Sequence, residues 1–165
     1  MYDADRETLR ISAAPAQFAP ADWVAPNAAD VELAEGFWIE RPWTSSEACP
    51  PAPSPAAPPP ERSAAIVQFH TTAGSRIGRR EGDAFQTAQK VALDDLDLSG
   101  GLRLRLTGRL TLAPGGSGPV ICRPSSAAQR PACLFVVSFE EVGIEMADGA
   151  SLATWEVSSA RTAEN

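Results

Sequence analysis

A single imidazole limits the chemistry this chain can do. His70 is the only histidine, so no second imidazole is present to share a metal or relay a proton. A Cys/His metal site would have to draw on Cys49, His70, Cys122 and Cys133. No two of these cysteines stand at the close spacing that structural zinc sites use. A Cys49–His70 nucleophile pair fails on other grounds. Cys49 is followed by Pro50 and Pro51 in a stretch with no means of holding reacting atoms in register.

Carboxylates are the next candidates. Asp94, Asp95 and Asp97 cluster before a turn, and Glu140 with Glu141 interrupts a long apolar run. Paired carboxylates can move protons or bind calcium. The aspartate cluster, however, lacks the glycine and terminal glutamate of a calcium loop, and solvated charges at a strand end are the simpler reading. A hydrolase site drawn from Glu140, Asp95 or His70 stands as the enzymatic alternative. The glycines at 74, 78 and 82 and at 115, 116 and 118 match no phosphate-binding loop, because neither stretch contains G-K-[ST]. No catalytic, cofactor or metal site is therefore expected.

The remaining polar and aromatic groups suit binding better. Arg103, Arg105 and Arg109 share one face of a strand, where they form either a stripe for an acidic partner or a solvated face of cross-strand ion pairs. Phe37, Trp38 and Trp43 make the most aromatic part of the chain, as a docking patch or a plug in the core. These six are the candidate partner-binding residues. The net charge of −7, from 21 acidic and 14 basic residues, argues against nucleic acid and toward a protein with a basic surface. An acidic balance also serves simple solubility.

The element that must position the arginines is Leu102–Leu112, LRLRLTGRLTL. Leucines fall on one parity and Arg or Thr on the other, with Gly108 the gap, which describes a strand with one face in a core and one in water. The core is expected on the leucine face. Ala132–Met146 carries apolar residues on both parities and reads as a central strand, with Gly143 permitting a bend. Cys122 and Cys133 flank a loop between two strand-like runs, a spacing that suits a disulfide across the base of a hairpin. Cys49 is left over. Residues 84–98 alternate as a strand or stack as a helix, and the β context favours the strand.

Boundaries follow from composition. Residues 1–44 read as an extended N-terminal arm with short strands, and Gly36 marks a possible bulge. Residues 45–63 are a Pro/Ala-rich linker. Residues 64–158 form an antiparallel β domain, and 159–165 a flexible tail. The expected fold is mainly β: a small antiparallel β-barrel or β-sandwich, OB-like at most by analogy. No apolar run approaches the roughly 18 residues of a membrane helix, so no membrane insertion is expected. The first residues carry no signal-peptide pattern. A periplasmic or secreted location would then follow removal of an upstream signal, and a cytoplasmic one otherwise.

These observations point to a non-catalytic protein–protein interaction module of a bacterial cell-envelope or secreted system, with an inhibitor or immunity-type binder as one form. The alternatives are a cytosolic OB-like nucleic-acid binder and a hydrolase with an unrecognised site.

Overall fold

The computed structural model describes residues 2–24, 30–39, 62–72, 79–92, 100–116, 118–123 and 131–157. Trp43, Cys49, Asp94, Asp95, Asp97, nearly all of the Pro/Ala-rich linker and the C-terminal tail lie outside the described residues. In chain order the strands are β1 (Tyr2–Asp3), β2 (Thr8–Ala13), β3 (Ala16–Phe18), β4 (Val31–Trp38) and β5 (Ala64–Thr71). They continue as β6 (Phe85–Lys90), β7 (Leu102–Leu110), β8 (Val120–Arg123), β9 (Ala132–Met146) and β10 (Ser151–Glu156). The strand reading of the 84–98 stretch holds over β6.

The strands build a mainly β, sandwich-like fold from two sheets, and the described residues close no barrel. The smaller sheet has the order β1-β2-β6; the larger runs β10-β9-β5-β4-β3, with β7 and β8 on the other side of β9. The first four strands are thus divided between both sheets. β2 lies between β1 and β6, and β4 between β3 and β5.

β9 is the central strand its two apolar parities predict. On one side it pairs β8 and then β7; on the other it pairs β5 in parallel and then β10. The parallel β5–β9 pair needs a crossover, and β6, β7 and β8 are carried on it. The handover from β5 to β10 happens where the ladder slips. Gly108 faces Phe139 and Thr107 faces Glu141, so Glu140 is the extra residue of a bulge. Around that point the Phe139 N–H donates to the Gln68 side chain (2.7 Å) and the Val157 N–H donates to the Glu140 carbonyl (2.9 Å). The irregularity in β9 therefore falls at Glu140, while Gly143 sits in register between Arg105 and Thr154.

Between the sheets, Phe85 of β6 packs with Phe139, Val142 and Val157, with Phe37, Ile66 and Trp155 around them. Leu9 and Ile11 of β2 cover Ile144. The outer face of the larger sheet carries its own cluster of Phe18, Ala34, Ala65, Val67 and Leu134. Gly36 is not the bulge its position suggested. It pairs regularly with Ala16 and Val67, and a Cβ there would collide with the Ile66 carbonyl oxygen. The irregularity in β4 falls earlier, between Val31 and Leu33.

Cys122 and Cys133 form a disulfide, as their spacing predicts. They are directly opposed in the β8–β9 ladder, with Cα atoms 4.1 Å apart. The Cys133 N–H is turned the other way, donating to Ser63 (2.8 Å). The pair is therefore a non-hydrogen-bonded one, where facing side chains lie closest. Replacing both cysteines by serine should lower stability by about 2–3 kcal/mol, from the lost constraint on a short loop. Urea melts of the two proteins measure it, and an unchanged midpoint would mean that the hairpin does not depend on its staple. A disulfide is compatible with an oxidising, extracytoplasmic compartment.

Candidate functional interface

Leucine alternation in β7 predicts burial, and the structure corrects that expectation. Leu102 is 44% exposed, Leu104 39%, Leu110 65% and Leu112 69%; only Leu106 reaches the core. The parity itself is as expected. Leu104 faces Ile144 and Leu106 faces Val142 across the ladder, so the leucines lie on the side of β9 that meets the smaller sheet. The difference is one of coverage. The smaller sheet has three strands, and β1 is only two residues long. Its residues pack over β9 and β10, and over β7 only at Leu106. A stripe of leucine is left facing inward at a margin with no described residue packed above it.

The backbone along that margin is open as well. β7 pairs β9 and no other described strand. The Thr111 N–H donates to Val136 on β9 (3.0 Å). Peptide groups alternate sides along a strand. Arg103, Arg105, Thr107 and Arg109 therefore direct theirs at β9. Leu102, Leu104, Leu106, Gly108 and Leu110 direct theirs at the free edge. The leucines thus combine an apolar face with peptide groups that meet no other described strand. Past Leu112 the chain turns, with the Ala113 N–H donating to the Gly118 carbonyl (2.9 Å), and β8 resumes along β9. There the exposed Val120 borders an open groove of about 450 Å³ lined by Trp23, Pro114, Ile121 and Cys122.

The arginine stripe lies on the opposite face and is largely neutralised. Arg105 bridges Glu141 (2.5 Å) and Glu145 (2.7 Å), and Arg109 meets Glu140 (2.7 Å). Arg103 makes no ion pair among the described residues. Phe37 and Trp38 are half-buried and occupied with packing. The Phe37 ring lies between Phe85 (6.3 Å) and Phe139 (6.2 Å), and Trp38 stacks on Phe18 (5.0 Å).

His70 is buried rather than on the surface, and its partner is Glu35. The His70 Nε2 lies 3.3 Å from the Glu35 carboxylate, which also accepts the backbone N–H groups of Arg80 (2.7 Å) and Glu81 (2.9 Å). Burial raises the Glu35 pKa, but His70 and the two amides outweigh it, and the carboxyl is held below its ordinary value. The arrangement ties the loop before β6 to β4 and β5. Arg80 completes the tie by donating to the carbonyls of Asp83 (3.2 Å) and Ala84 (2.7 Å) and lying over the Phe85 ring (4.4 Å). The neighbouring cavity, about 10 Å³ among Gly36, Phe37, Phe139 and Val157, is at the lower limit for one water and too small for a substrate. Glu140 is engaged with Arg109 at the edge, so it and His70 serve separate partners. One signal for Glu35 was present in the sequence: it shares parity with Leu33 and Phe37 on an otherwise apolar strand face.

Among the described residues no group of three or more His, Cys, Asp or Glu is arranged to hold a metal ion, and no helix is long and apolar enough to cross a membrane. The chain matches no family model, no curated protein and no solved structure.

Proposed function

We propose that this chain is a non-catalytic protein–protein interaction module that takes a partner by strand addition at the β7 margin. The observation that carries the reading is the coincidence of exposed leucines and outward-facing peptide groups on the same strand. Sheet edges of this kind are normally blunted by lysine, proline, a bulge or a covering element. β7 has no proline, its Arg105 and Arg109 are held by glutamates on β9, and the bulge opposite it lies in β9. In strand addition the backbone supplies affinity and the alternating side-chain positions supply specificity. Strand addition therefore uses both halves of the margin.

The disulfide supports placing the module in the cell envelope or outside the cell. The pairing of Arg105 and Arg109 with glutamates removes the main argument for phosphate binding, because a neutralised stripe releases few counterions from nucleic acid. Panning a display library of nine-residue peptides at low protein concentration tests the reading. Enriched peptides should alternate apolar and polar residues, and they should be lost by a Leu104→Ser, Leu110→Ser variant of unchanged thermal midpoint. Peptides retained equally by that variant would place binding elsewhere.

A further inference from the structure

We propose that the partner at the β7 edge is a second copy of this chain, paired antiparallel about a two-fold axis at Gly108. The proposal rests on the reading of that edge as a docking margin and adds its occupant and register. Only the even-numbered residues of β7 direct peptide groups outward, so a second β7 can pair only even against even and odd against odd. A two-fold axis makes the pairing antiparallel and self-complementary, which leaves the centre as the one variable.

Among the centres that pair most of the strand, the arginines decide, because like charges directly opposed on a sheet destabilise it. Centred on Arg105 or Arg109, the axis sets an arginine against its own copy. Centred on Leu106, Arg103 faces Arg109 of the second copy; centred on Thr107, Arg105 faces Arg109. Centred on Gly108, no arginine meets another. Leu104 then faces Leu112, Leu106 faces Leu110, Arg105 faces Thr111 and Thr107 faces Arg109, with Gly108 against itself. The leucines most exposed in one copy, Leu110 and Leu112, are covered by Leu106 and Leu104 of the other. The arginines opposite threonine keep their glutamate partners on β9. One strand pair and two leucine stripes make a contact below the standard interface size, so the association is expected to be reversible.

Sedimentation equilibrium from about 10 µM to about 1 mM, the range set by a sub-standard interface, should show the mass rising from 17.4 kDa toward twice that value. Leu110→Lys, at a position already in water, should keep the fold and remain monomeric throughout. Register is read separately, in a Cys49→Ser background. Thr107→Cys combined with Arg109→Cys should give a covalent dimer on mild oxidation, since those residues face each other. Either substitution alone should not.

A monomer at every concentration overturns the dimer. If library peptides are still captured at the leucines, the strand-addition reading stands without it. A dimer that survives Leu110→Lys, or a covalent dimer from Thr107→Cys alone, overturns the Gly108-centred pairing. Failure of both the dimer and peptide capture removes the docking margin altogether.

Discussion

Replacing Glu35 by alanine should be among the most damaging single changes in this chain. It leaves the N–H groups of Arg80 and Glu81 without an acceptor and buries His70 without its partner. Leaving a buried donor without an acceptor costs about 1–3 kcal/mol each, against roughly 5–15 kcal/mol for a whole domain. Denaturant titration should show the loss. The pH dependence gives a second test. The folded carboxyl has a lowered pKa, so its contribution is fully present above the unfolded value and is lost as pH falls through the folded one. Glu35→Gln should accordingly flatten the acid side of the stability profile. An acid limb unchanged in Glu35→Gln would mean that other carboxylates set it.

A comparable loss should follow Leu134→Ala. Leu134 is fully buried at the centre of the outer cluster, against Ala65 and Val67. Truncating such a leucine costs about 2–5 kcal/mol, depending on how far the site collapses. Leu110→Ala, at 65% exposure, should stay within about 0.5 kcal/mol. Thermal melts of the pair compare a leucine that holds the fold together with one available to a partner. Equal losses would place Leu110 in a core and close the margin.

The contrast between those two leucines shows how far the sequence could be read. Alternation in LRLRLTGRL determines which side of a strand each residue occupies, and the ladder bears this out against Val142 and Ile144. Whether a second layer covers that side depends on how many strands the other sheet has and how long they are. No local pattern in β7 carries that information. β9 was legible because apolar residues on both parities require neighbours on both faces, and the cysteine pair because two strands joined by a loop leave few alternatives. The bulge at Glu140 was not, since it arises where β5 ends and β10 begins. Glu35 and His70 lie far apart in sequence and meet only because β4 pairs with β5, placing Leu33 opposite His70. The aromatic residues Phe37 and Trp38 satisfied a docking patch and a core equally well as types. Their neighbours Phe18, Phe85 and Phe139 come from β3, β6 and β9, and tertiary packing alone brings them together.

Amide hydrogen exchange along β7, followed residue by residue by NMR in dilute protein, tests the open margin most directly. Arg103, Arg105, Thr107 and Arg109 should be protected by their bonds to β9, while Leu102, Leu104, Leu106, Gly108 and Leu110 exchange rapidly. Raising the protein concentration should slow the second set and leave the first unchanged. Protection of both sets at the lowest concentration would mean that the edge is already covered within a single chain, and the docking margin proposed here would not exist.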